Sequence, residues 1–184
     1  MNRESAFELL KQHVHTPANI AHALEAEAVM RAMAKRLGQD QNKWGICGLL
    51  HDLDWELTQL NPAKHGLVTA EMLAATDIDP DILAAIPAHN GDLNGSVCDT
   101  QMAKALMPSE TVTGLVIACI LVRPDRNFAT LQVSSIRKKM KDKSFARNVS
   151  RETIMKVEEL GIPLEEFLEL AKNAIAEIQS SLSL

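Results

Sequence analysis

An apolar run, Trp44-Gly45-Ile46-Cys47-Gly48-Leu49-Leu50, delivers two metal-ligand side chains, His51 and Asp52, and then a further acid, Asp54. Neighbours on a helix point roughly 100° apart, so His51 and Asp52 can reach one centre only where the helix ends or bends. Alone, the pair reads as a helix-end ion pair. The placing of other histidines changes that, because His22, His65 and His89 each fall on a separate predicted helix or at its end. Helical bundles build metal centres this way, from side chains that project inward on facing elements. Mixed imidazole and carboxylate ligands suit Fe, Mn, Zn or Co. One or two such ions would activate a water for hydrolysis of a phosphoester. His13 and His15 flank a turn near the N-terminus and read as exposed.

The elements that must hold these residues are helical. Apolar positions are dominated by Ala, Leu, Ile and Met and recur at three- and four-residue spacing, with only eight Gly, seven Pro and 3% aromatic residues. The expectation is an all-α fold. Helices are predicted over 4–13, 17–37 with Gly38 as its stop, 40–50, 62–75, 79–88, 99–107, 111–122, a capped stretch 150–160 and 164–178. Residues 90–98, rich in Asn and Gly, read as a mobile loop that is either a lid over a site or only a connection. Pro108-Ser109-Glu110 reads as a break between two helices. The basic cluster from Ser134 to Lys143 reads as a solvated helix face.

A length of 184 residues fits one domain, with the metal-binding core over about 17–125 and C-terminal helices, about 130–182, packed on it. The net charge of -5 argues against a general grip on a nucleic acid polymer. Cys47, Cys98 and Cys119 are odd in number and form no CxxC pair, which points to buried thiols and a reducing compartment. An acid at Glu4 is too early for a signal peptide, and Leu115 to Val122 is too short to span a membrane. A cytoplasmic protein without a membrane partner is expected.

The order of these motifs resembles the HD superfamily of metal-dependent phosphohydrolases. Ala21-His22, Gly48-Leu49-Leu50-His51-Asp52, Pro62 with His65-Gly66, and Thr113-Gly114-Leu115 followed by Val122-Arg123-Pro124 are similar to one bacterial branch of hydrolases in it. Lys141-Asp142-Lys143, Phe145-Ala146 and Gly161-Ile162-Pro163 extend the resemblance over nearly the whole chain. The resemblance implies that His22, His51 and Asp52 hold a first divalent ion and that His65 and His89 hold a second. It implies an Asp just before Thr-Gly-Leu as a further ligand, and this chain has Glu110 there. Asp52 and Asp54 would serve the catalytic water, Asp54 by orienting it or by bonding a ligand imidazole, with Glu27 a weaker candidate for the same task. Lys64, Arg123 and the lysines around Lys138 are the positive partners expected for the phosphate of a small phosphorylated substrate or nucleotide. Two other outcomes are a metal- or nucleotide-binding module impaired by Glu110, and a di-iron oxygenase.

Overall fold

The computed structural model describes residues 1–178, and among them there are helices and turns but no strands. α1 (Arg3–His13) and α2 (Pro17–Arg36) are followed by α3 (Gln41–Leu50), α4 (Trp55–Thr58), α5 (Leu67–Leu73), α6 (Pro80–Ala88), α7 (Gly91–Asn94) and α8 (Gln101–Leu121). The chain continues through α9 (Val133–Met140), α10 (Arg151–Met155) and α11 (Leu164–Ile178). Local chemistry sets these starts. Asn2, Asp40, Asp79, Thr100 and Ser150 each turn a side-chain oxygen onto an otherwise unpaired first-turn N–H, and Pro17 and Pro80 occupy first-turn positions that need no donor.

α2 and α8 form the centre, with α3, α6, α10 and α11 packed around them and α9 seated on α8 and α11. Residues 179–182 of the expected C-terminal helices lie outside the described residues. Met30, Met33, Leu49, Leu50, Leu106 and Leu115 are fully buried in the shared core. The α2–α3 crossing is the closest, because Gly48 lies where an added Cβ would stand 2.6 Å from the Ala26 carbonyl oxygen. That approach of backbone to backbone brings the end of α3 beside His22. Gly48→Ala should therefore force the two helices apart and lower unfolding stability by about 1–3 kcal/mol in chemical denaturation. A variant as stable as the native chain would show that the crossing can shift.

Three expectations fail, each for a local reason. The chain does not break at Pro108: α8 runs through it to Leu121. An interior Pro costs about 3 kcal/mol, but Leu106, Val112, Leu115, Val116 and Ile120 are buried on this one helix at about 1.5–3 kcal/mol each, so packing outweighs the break. The joined helix is long and apolar enough to cross a membrane by length and composition, and 61% of its apolar window is buried in the protein. The predicted helix 62–75 is split, because Gly66 adopts φ 82° between a 3-10 turn, Pro62–Lys64, and α5. The loop after His89 contains the short α7, which Gly95 ends in the left-handed region.

Candidate metal centre

α3 stops at Leu50, and His51 and Asp52 follow in the turn that leads to Asp54, so adjacent residues face one point. α2 supplies His22 to the same point, the segment before α5 supplies His65, and the end of α6 supplies His89. The four imidazoles surround one carboxylate. Asp52 Oδ1 lies 3.2 Å from His51 Nε2, 3.2 Å from His65 Nε2 and 3.6 Å from His89 Nε2, while its Oδ2 lies 3.7 Å from His22 Nε2. Two potential ligand sets result, His22–His51–Asp52 and Asp52–His65–His89, joined through Asp52.

The opposite nitrogen of each ring decides its protonation. His51 Nδ1 donates to the Gly48 carbonyl oxygen at 2.7 Å, and His89 Nδ1 to that of Ile86. His65 Nδ1 donates to Asp54 Oδ1 at 2.8 Å. Thr113 Oγ1 gives its own proton to the Glu110 carbonyl oxygen at 2.7 Å, so it accepts from His22 Nδ1 at 3.0 Å. With the neutral ring's proton on Nδ1 in all four, all four Nε2 atoms present lone pairs to Asp52. His65 Nε2 and His89 Nε2 stand 2.9 Å apart, and His51 Nε2 is buried without a hydrogen-bond partner. Lone pairs crowded on a carboxylate repel unless a cation lies among them, so the donor set fits one or two divalent ions of the imidazole-carboxylate type.

Electrostatics carries the same signature. Burial pushes the Asp52 carboxyl upward, but the surrounding imidazoles, led by His51, hold it well below the usual carboxylate range. Burial lowers His51 to about 3, so it stays neutral and available as a ligand. His65 is lowered by burial but lifted further by Asp52 and Asp54, to about 9. In the ion's absence a proton would take its place there.

Asp54 is fully buried, with Oδ1 on His65 and Oδ2 accepting from Gly66 N at 2.8 Å and Thr69 N at 3.0 Å. Both oxygens are thus engaged, and of the two roles expected for Asp54 the geometry matches the positioning of an imidazole rather than contact with a water. Glu110, from α8, brings Oε2 to 4.0 Å from His22 Nε2, and Thr111 Oγ1 donates to its Oε1. Burial raises its carboxyl above the usual range, and His22 only partly offsets this. Glu27 is remote from the centre, gripped by Arg3 at 2.7 and 2.9 Å and by Arg31 at 2.9 Å.

The centre opens into a cavity of about 750 Å³ walled by Trp55, Leu93, Met107, Asn148 and Ser150. The larger groove, about 1120 Å³ between α1, α2 and α11, holds none of the four imidazoles. Lys64 and Arg123 do not line the cavity, and no other Lys or Arg among the described residues does. Arg123 instead holds Asp125 at 3.0 Å and Thr130 at 2.7 Å, since it lies past the end of α8, far along the chain from Glu110. Lys64 sits exposed on the 3-10 turn. The sequence reading also passed over Trp55, whose ring meets that of His65 edge-on at 5.0 Å, and the carbonyls of Gly48 and Ile86. A lone Trp after an acid gives no signal, and backbone acceptors give none at all.

A family model described as HD domain matches residues 19–123. Ribonuclease Y of Clostridium perfringens is 24% identical over 173 residues, which is 89% of this chain and 32% of that protein. Ribonuclease Y of a Sulfurovum species is 36% identical over 72 residues, 39% of this chain and 14% of that protein. Ribonuclease Y of Nitratidesulfovibrio vulgaris is 30% identical over 95 residues, 52% and 18% of the two chains. The chain thus spans about a third or less of the length of these curated relatives. No solved structure matches it significantly.

Proposed function

Because the chain belongs to the HD domain family, we propose that it is a metal-dependent phosphohydrolase acting on a phosphoester held in the cavity beside Asp52. One observation carries this reading: the Nε2 atoms of four imidazoles converge on one carboxylate, each within 3.7 Å of it. A divalent ion held there would lower the pKa of its water toward neutrality and so supply a nucleophile at neutral pH. His22, His51 and Asp52 would hold one ion, and Asp52 with His65 and His89 a second. Glu110 would complete the first set from α8, while Asp54 and Thr113 keep His65 and His22 in the ligating tautomer. With no Lys or Arg in the cavity wall among the described residues, Asn19, Asn148 and Ser150 are neutral donors there for a bound phosphoester. We take about 17–125 as the metal-binding core, which the packing of α11 on α2 and α8 supports.

The phosphoester was expected in a small phosphorylated molecule or nucleotide. The relatives' name, Ribonuclease Y, supports adding the phosphodiester of RNA to those candidates.

Elemental analysis and a phosphoester panel test the reading on the native chain, Glu110→Ala and Glu110→Asp. The native chain should contain a transition metal and hydrolyse bis(p-nitrophenyl) phosphate, and Glu110→Ala should lose metal. On the unbroken α8, Glu110 brings Oε2 to 4.0 Å from His22 Nε2. Glu110→Asp should therefore withdraw the carboxylate by about 1.5 Å and slow turnover on the order of a hundredfold. Metal without hydrolysis of any phosphoester would reduce the protein to a binding module, and an unaffected Glu110→Ala would remove Glu110 from the site.

A further inference from the structure

We infer that the surface from Trp55 across the cavity to residues 138–147 is a binding track for single-stranded nucleic acid. The choice of that occupant rests on the hydrolase reading above. Three observations lead to it.

The first is the distribution of charge. Residues 137–151 hold seven Lys and Arg against the single Asp142, in a chain whose net charge is -5. The acidic balance that argues against a nucleic acid polymer is therefore an average that hides one strongly basic segment. Some of these cations have structural partners: Arg137 pairs with Glu165 at 2.8 Å, and Lys139 lies 4.5 Å above the Phe145 ring centroid. Lys138, Lys141, Lys143 and Arg147 are exposed and pair with no described residue.

The second is that the basic loop is built. Arg151 Nη1 donates to the carbonyls of Ala146 and Val149, both at 2.7 Å, and Nη2 to that of Asp142 at 3.2 Å and to that of Phe145. One guanidinium thus gathers the loop into a fixed turn, with Ala146 at φ 43°, and leaves its other cations outward.

The third is continuity with the site. Asn148, Val149 and Ser150 end the loop and wall the cavity, with Val149 Cγ2 3.1 Å from where a Cβ on Gly114 would stand. The incompletely buried face of α8 runs from Thr111 and Gly114 through Ala118 to Leu121 and Val122, about 16 Å along the axis. At its far end Val122 and Lys138 border a hollow of about 360 Å³. At the near end stands Trp55, 37% exposed, as a platform for a base. Aromatic platform, cleaving centre and cationic flank follow one another as base, scissile phosphate and flanking phosphates would. A mononucleotide would leave the flank unused.

The test is fluorescence anisotropy of the full chain with a labelled single-stranded RNA 12-mer over a range of salt, with intactness checked on a gel. Replacing Lys138, Lys141 and Lys143 together by Gln should weaken binding at least tenfold and reduce the slope of log affinity on log salt by about 2, as loss of three single-strand phosphate contacts requires. A control with Lys11, Lys35 and Lys172 changed to Gln removes equal charge from other faces and should keep the native slope. Equal slopes in the two triple variants would overturn the track, as would vesicles of anionic lipid binding where the RNA does not. Hydrolysis of bis(p-nitrophenyl) phosphate without RNA binding would sink the track and leave the hydrolase reading standing. RNA binding that needs these lysines, without hydrolysis of any phosphoester, would do the reverse.

Discussion

Asp52→Ala is expected to empty both ligand sets at once. Each of the four imidazoles lies within 3.7 Å of this carboxylate, and both potential ligand sets include it. Its removal deletes the negative charge that offsets two cations, and Glu110, reaching only His22, cannot replace it on the His65 side. Metal content should fall to near zero by elemental analysis. Hydrolysis should drop by on the order of a thousandfold or more, beyond the ~10²–10³ that losing a single electrostatic stabiliser costs. Helical circular dichroism should persist, because Asp52 contributes nothing to the Met30, Leu50 and Leu115 core. Full metal content in this variant would sink the assignment of the centre.

The joint change His65→Ala and His89→Ala should behave differently, halving the metal from two ions to one. These rings stand with Nε2 atoms 2.9 Å apart, while His22 and His51, with ring centroids 5.1 Å apart, make up the other potential ligand set with Asp52. The first ion should therefore remain. Since an in-line displacement relies on a second ion to clamp the attacked group, turnover should still fall steeply. A His65→Gln and His89→Gln pair guards against collapse of the space vacated beside Trp55. If stoichiometry is unchanged in both pairs, His65 and His89 contact substrate rather than an ion.

Much of this site could be read from residue order, because ligation needs particular side chains and helical spacing fixes where they emerge. His22, His51, Asp52, His65 and His89 meet, and the all-α fold follows from the same periodicity. What failed depends on partners that spacing does not encode. Pro108 carries a strong local break signal, and only the burial of its flanking residues overrides it. Arg123 and Lys64 were chosen for charge alone, but Asp125 claims the first and the fold leaves the second outside. The roles of Thr113 and the Gly48 carbonyl appear only once α2, α3 and α8 are assembled.

The four Nδ1–H donations have a thermodynamic side. Each ring is already fixed by a carbonyl, a hydroxyl or a carboxylate, so an arriving ion does not have to freeze four freely rotating side chains. At about 0.5–1.5 kcal/mol for each immobilised side chain, that spares roughly 2–6 kcal/mol of ordering entropy. A cage so stiff discriminates among cations by radius, because an ill-fitting ion meets rings that cannot follow it.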